Sequence, residues 1–273
     1  MTLESFTQRT MIWDLTRDRR GKTTSRRWPL PMPDVKKSRH LEAALSGGGK
    51  LLAVRNADRS VSLWDLRQKK ERVTFPAVQD RDVHGLAVSP DGRWVAARLT
   101  APKAPNVVVL WEVARPARPP AQLRTRGPSR SDLQFSADGS LLLYVVAARV
   151  VRREVPGLKA THTAVRLDLD LTGPVVLGPD GNFVVGLGDG GRFVAVWDAG
   201  TGRRKALLAF PATTLYGLAI PRAEVAGPLA RLLGVADPRI YSLSVTRDGS
   251  RVAAACDDAR LRLWQVPPAN PKP

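Results

Sequence analysis

The chain has a single cysteine, Cys256, so neither a disulfide framework nor a cysteine-based zinc site can be built from it. Cys256 itself sits among Val252 to Ala255 and reads as a small buried residue, not a nucleophile. Histidine is as scarce. His40, His84 and His162 are far apart in sequence and give no local pattern for a metal cluster or a Ser-His-Asp arrangement. His162 is expected in a solvated outer strand. No apolar run approaches the ~18 residues of a membrane helix, since the longest is Leu141 to Ala148. The N-terminal stretch is polar and charged and lacks the apolar core of a secretory signal. The expectation is a cytoplasmic protein with no membrane insertion. Aromatic residues make up only 6%, and 25 Asp+Glu face 43 Lys+Arg, for a net charge of +18. With 273 residues and 43% apolar content, the chain falls in the globular range and can bury a sizeable core. The excess charge is the feature that needs a location before it can mean anything.

What the sequence does contain is a repeat. One recurring element is a turn: Ser46-Gly-Gly-Gly49, Ser89-Pro-Asp-Gly92, Ser136-Ala-Asp-Gly139, Gly178-Pro-Asp-Gly181 and Thr246-Arg-Asp-Gly249. The other is an apolar stretch ending in Trp-acid or a near equivalent, at Trp13-Asp14, Trp64-Asp65, Trp111-Glu112, Arg153-Glu154, Trp197-Asp198 and Trp264-Gln265. Three consecutive gaps from the Trp position to the next turn are 25 residues, and the last gap is 49. Each unit reads as strands. A short apolar segment such as Gly85 to Val88 precedes the turn, and a β-rich run such as Arg251 to Ala255 follows it. Val61 and Leu63, then Val107 and Val109, alternate with their neighbours at period two. Asp-Gly between such runs is a hairpin signal, because glycine tolerates the positive φ of a tight reversal. A weaker fourth strand follows each Trp, as in Arg203 to Phe210. Four antiparallel strands per unit of roughly 45 residues describe a β-propeller blade.

The run from Leu86 through Ser89-Pro-Asp-Gly92 to Trp111-Glu112 resembles a WD-repeat (Trp-Asp repeat) unit, and so does Leu243 to Val266. The resemblance covers nearly the whole chain. It implies a toroid of blades with first strands lining a central channel and fourth strands on the outer wall. Its structural signature falls on Trp13, Trp64, Trp111, Trp197 and Trp264, on Asp58 and Ser60, and on the turn acids Asp91, Asp138, Asp180 and Asp248. The units are degenerate. The Gly-His pair common in the family is missing from its place, only Asp58, Ser60 and Trp64 keep the register of the buried polar network, and Arg153 stands where a Trp is due.

The expected architecture is all-β: a propeller of four-stranded antiparallel blades, about five recognisable, plus a partial N-terminal blade over 1–30. Repeats end near 65, 112, 154, 198 and 265, an insertion or half-blade occupies about 221–239, and a Pro-rich disordered tail covers 267–273, so that 1–266 forms one propeller domain. The last unit stops after its third strand, while the chain begins almost at a third strand, so ring closure is not guaranteed.

Other motifs dissolve on inspection. Gly186-Leu-Gly-Asp-Gly-Gly191 matches the dinucleotide fingerprint by letter, but Arg192 to Trp197 reads as a strand where the fingerprint needs a helix. Ser46-Gly-Gly-Gly-Lys50 lacks the first Gly and the terminal hydroxyl residue of a phosphate loop. The turn acids are turn formers that bond their own backbone. No cofactor and no enzyme activity are expected.

The turn-to-acid cores (46–65, 89–112, 136–154, 178–198, 246–265) are near neutral, and almost all of the excess positive charge lies outside them. A basic outer wall and rim follow, with Arg19, Arg20, Arg26, Arg27, Lys36, Lys37, Lys69, Lys70, Arg124, Arg126, Arg203 and Arg204 as candidate partner-binding residues. Arginine suits phosphate or carboxylate because its planar fork bonds two oxygens at once. Charge on outer strands also keeps sheet edges from pairing with other chains. The aromatics do not interleave with the basic clusters, so no base-stacking platform is present. The leading expectation, by resemblance, is a non-catalytic scaffold binding an unidentified protein or peptide through the loop faces. The first alternative is a nucleic-acid-associated protein using the basic rim. The second is a C-terminal sensor or regulatory segment of a larger WD-repeat protein.

Overall fold

A computed structural model describes residues 11–17, 23–29, 42–78, 80–125, 133–146, 148–161, 164–167, 174–178, 181–188, 193–209, 213–215, 218–220, 240–246, 248–256 and 261–267. Among these residues the regular structure is β throughout, with no helix. A two-stranded hairpin opens the chain, β1 (Met11–Arg17) against β2 (Thr23–Pro29). Four four-stranded antiparallel sheets follow. The first is β3 (Ala43–Leu45), β4 (Leu51–Arg55), β5 (Val61–Asp65) and β6 (Lys70–Phe75). The second is β7 (Asp82–Val88), β8 (Trp94–Ala101), β9 (Ala104–Glu112) and β10 (Ala121–Thr125). The third is β11 (Gln134–Phe135), β12 (Leu141–Val146), β13 (Arg149–Glu154) and β14 (Val165–Arg166), and the fourth is β15 (Val175–Leu177), β16 (Phe183–Gly188), β17 (Phe193–Asp198) and β18 (Arg204–Ala209). After a short hairpin of β19 (Thr213–Leu215) and β20 (Leu218–Ile220) comes a three-stranded sheet, β21 (Ile240–Val245), β22 (Arg251–Cys256) and β23 (Leu261–Gln265).

The sheets are blades of a propeller. Their strands are consecutive in sequence and in space, and first strands adjoin one another: β3 lies against β7, β7 against β11, and β15 against β21. That places first strands at the hub and fourth strands at the periphery. No described strand pairs the last sheet to the first, so hydrogen bonds do not close the ring among the described residues. The 221–239 insertion and residues 268–273 of the tail lie outside the described residues.

Period two explains the stacking. In β9, Val107, Val109 and Trp111 enter one apolar cluster with Leu51, Ala53, Leu63 and Phe75 of the first sheet. The intervening Val108 and Leu110 face the other way, into a cluster with Phe135, Leu142 and Tyr144 of the third sheet. The same division recurs between the third and fourth sheets through Leu143, Val145, Val184 and Trp197, and between the fourth and last through Val185, Val194, Leu243 and Val252. A strand buried on both faces needs apolar residues at both parities, hence runs such as Val107 to Trp111 and Leu141 to Val146. Polar contacts add to the seams. Arg152 Nη2 donates to the carbonyls of Gly181 (3.2 Å) and Ala199 (3.0 Å), tying the third sheet to the fourth. Arg55 and Arg59 meet Asp82 at 3.2 and 3.6 Å, tying the first sheet to the second.

Candidate functional site

The five turns share one construction. Within each, the glycine amide donates to the carbonyl of the first turn residue, as Gly92 N to Ser89 O and Gly249 N to Thr246 O, both 2.9 Å. Gly49, Gly92, Gly139, Gly181 and Gly249 all have φ between 63° and 74°, the left-handed region that the reversal requires. In three turns an aspartate completes the loop. Ser89 Oγ donates to Asp91 Oδ1 at 2.6 Å, Ser136 Oγ to Asp138 at 2.5 Å, and Thr246 Oγ1 to Asp248 at 2.6 Å. The amide two residues beyond each acid donates back to it. These carboxylates are therefore occupied by their own turns, and Asp180 lies outside the described residues.

Hydrogen bonds to a carboxylate favour its charged form. The Ser136 hydroxyl, then the Ser140 hydroxyl and amide, bring Asp138 down to about 2. The Thr246 hydroxyl, then the Ser250 amide and hydroxyl, bring Asp248 down to about 2 as well. In Asp91 burial pushes upward, but the Ser89 hydroxyl and Arg93 amide outweigh it and the net direction is down. In the unfolded chain these groups titrate near about 3.9. Their stabilising contribution is thus complete above that value and is lost as pH falls from about 4 towards about 2. The melting temperature is expected to fall across that window, and D138N/D248N is expected to flatten the fall while lowering stability near neutrality. A double variant that melts with the wild-type pH profile would rule this role out.

Of the repeat signature, Trp64, Trp111 and Trp197 are buried and Trp264 is half-buried, while for Trp13 the structure gives its place in β1. Trp111 stacks on Phe75 with ring centroids 5.3 Å apart, and its Nε1 is buried with no hydrogen-bond partner among the described residues. Asp58 accepts from Ser60 Oγ and N at 2.5 and 3.0 Å, which lowers its pKa, the hydroxyl being the larger cause. The sequence reading missed how this continues. Asn56 Nδ2 donates to both Ser60 Oγ (2.9 Å) and Ser62 Oγ (2.8 Å), and Ser62 shares a hydrogen bond with Thr74. Alternating hydroxyls in Ser60-Val-Ser62 are the signal that could have found it. Where Arg153 replaces the Trp, Trp94 of the neighbouring sheet packs against the seam instead.

The basic residues lie where the outer strands and their turns place them. Lys69, Lys70, Arg124, Arg203 and Arg204 are exposed, on the turn before β6, on β6, on β10, before β18 and on β18. Arg26 and Arg27 fall on β2; Arg19, Arg20, Lys36, Lys37 and Arg126 lie outside the described residues. The Gly-rich segment at 186–191 joins β16 to β17, which pair antiparallel from Gly188↔Phe193 to Phe183↔Asp198; a strand, not a helix, follows the glycines. His84 is exposed on β7, while His40 and His162 lie outside the described residues. Among the described residues no three His, Cys, Asp or Glu side chains gather as a metal site, and no helix is long and apolar enough to cross a membrane.

A different surface emerges at the hub. Strands β3, β7 and β11, with the turns that follow them, frame a hollow of about 600 Å³. Its lining includes Leu45, Leu86, Val88, Pro90 and Phe135; Gln134 contributes an amide and no charged residue takes part. Leu45 is 57% exposed there. In a chain of net charge +18, an uncharged concavity at the mouth of three blades stands apart from the basic wall.

Residues 228–265 match the family model described as WD domain, G-beta repeat. No curated protein matches the chain. The matched segment contains the whole of β21, β22 and β23, and the four sheets before it repeat the same strand order and turn. A WD-repeat match within a stack of such blades is consistent with a β-propeller of the WD-repeat family.

Proposed function

We propose that the chain is a non-catalytic scaffold that binds protein or peptide segments through the loop faces of its propeller. The WD repeat and the propeller fold suggest a protein-interaction scaffold; fold alone does not choose the partner. The observation that carries the reading is the uncharged hollow framed by β3, β7 and β11. Concave, mostly apolar sites with one or two polar groups are what an inserted side chain fills, and Gln134 offers the lone side-chain amide to orient it. Selection from a random peptide library displayed on phage tests this. Peptides with an apolar anchor are expected to enrich, and the L45E variant, altered at an exposed position, is expected to bind them about tenfold more weakly. Failure to enrich, or equal binding by L45E, removes the reading.

The alternative of phosphate-backbone binding through Lys69, Lys70, Arg124, Arg203 and Arg204 is supported by their shared exposure on the periphery. Titration with mixed-sequence DNA and RNA at low salt decides it. Backbone binding must weaken steeply with salt, and its absence at low salt removes the alternative.

A further inference from the structure

We propose that the open edge of β23 takes up an extended segment of a partner protein in which apolar and acidic residues alternate. This site is a sheet edge, distinct from the loop faces invoked above. Four sheets have four strands each, whereas β21-β22-β23 has three, and β23 is its outer strand among the described residues.

The backbone of β23 is set for a further strand. Val266 N donates to Ser250 O at 2.8 Å, and the register pairs Val252 with Trp264 and Ala254 with Arg262. Antiparallel ladders alternate, so Trp264 and Arg262 bond inward to β22 while Leu261, Leu263 and Gln265 turn their N–H and C=O groups to the open edge. The side chains agree. Leu261 and Leu263 are 79% and 77% exposed. Beside them a hollow of about 400 Å³ is lined by Leu263, Trp264, Val252, Ala253 and Ser244. The peripheral strands of the complete sheets differ, carrying Lys70, Glu71 and Arg72 on β6, Arg124 on β10, and Arg204 and Lys205 on β18. Charge of that kind keeps an edge from pairing. β23 has the apolar sequence of a third strand and none of this protection apart from Arg262.

Charge selects the occupant. A second copy of the chain would bring another net charge of +18 to the edge and be repelled. An acidic segment is attracted, and its acidic residues would share the face of β23 that carries Arg262, opposite the face of Leu261 and Leu263. Strand addition uses the main chain for affinity and alternate side chains for selectivity. Apolar residues of the segment would lie beside Leu261 and Leu263.

The test uses the full chain and a fluorescein-labelled short peptide of alternating valine and glutamate, read by anisotropy. Its twin carries N-methyl groups on alternate amides, which removes donors and keeps the charge. The twin is expected to bind about tenfold more weakly. L263P deletes an N–H that faces the open edge and leaves the bonds to β22 in place, a position where an edge strand tolerates proline; it is also expected to lose about tenfold. L263K is the second variant in case L263P misfolds. It adds positive charge, so a loss of binding there cannot come from weaker attraction. K103A/R149A, which removes two charges elsewhere, is expected to stay within about twofold. Equal binding of both peptides, or unchanged binding by L263P and L263K, overturns the proposal. A concentration-dependent dimer in sedimentation that L263P disperses, without peptide binding, assigns the edge to a second copy. Slow hydrogen exchange at the amides of Leu261 and Leu263 in the peptide-free monomer assigns it to another part of this chain. These readouts report on β23 alone, so their failure leaves the loop-face reading standing, and the reverse.

Discussion

Replacing Gly202 by alanine is expected to destabilise the protein by about 3 kcal/mol, a combination of backbone strain and collision. Gly202 closes the turn between β17 and β18, its amide donating to Asp198 O at 2.8 Å, and its φ is +74°. A side chain in that region costs roughly 1–2 kcal/mol. The added Cβ would also collide with the carbonyl oxygen of Arg166 and stand 3.1 Å from Val165 Cγ1. Both neighbours belong to β14, so the clash is between the third and fourth sheets, and backbone cannot swing aside as a flexible side chain would. At about 2–4 °C per kcal/mol for a domain near this size, the melting temperature should drop by roughly 6–12 °C. Gly48 is the internal control: a Cβ there meets nothing within 4 Å, and G48A should melt within a degree or so of wild type. A G202A variant as stable as G48A would show that the two sheets do not approach in this way.

Trp197→Ala should be the most damaging of the Trp substitutions, at about 3–5 kcal/mol. Trp197 is fully buried between the third and fourth sheets, with Leu143, Val145, Leu177 and Ala195 in the same cluster. Sheets above and below hold its pocket open, so little collapse can relieve the cavity. Trp264 occupies the same place in its repeat, but it is half-buried and its sheet has one described neighbour. W264A should therefore cost clearly less. Chemical denaturation of the two variants side by side measures the difference, and a larger loss in W264A would contradict the stacking order.

The parts of the fold that were legible in the sequence are those governed by local chemistry. Asp-Gly after a short apolar segment marks a reversal because a left-handed glycine is needed there, and Gly92, Gly139, Gly181 and Gly249 adopt that conformation. A Trp 18 to 22 residues after a turn start marks the third strand because β5, β9, β17 and β23 each end beside a turn of the same blade. Contacts between blades were not legible. Arg152 reads as one more basic residue, yet it reaches carbonyls 29 and 47 residues away in the chain. Gly202 lies outside the repeat motif and gains its meaning only from β14. The uncharged hollow was hidden for the same reason: Leu45, Leu86 and Phe135 look like ordinary strand residues until three blades bring them to one mouth. Net charge directed attention to the periphery, while the concavity formed where charge is absent.

Burial on both faces of the second, third and fourth sheets makes the described sheets a linear array of nearest-neighbour couplings. The second, third and fourth sheets are each held from both sides, by clusters that divide their strands between odd and even residues. Among the described residues the sheet of β21, β22 and β23 is coupled through one face and shows Leu261 and Leu263 on the other, as an uncapped terminus would. In such an array loss of structure starts where couplings are fewest and advances one unit at a time. Amide exchange and proteolytic nicking should begin at β23 and travel toward β15, and whatever docks on that edge acts as the cap that sets the rate.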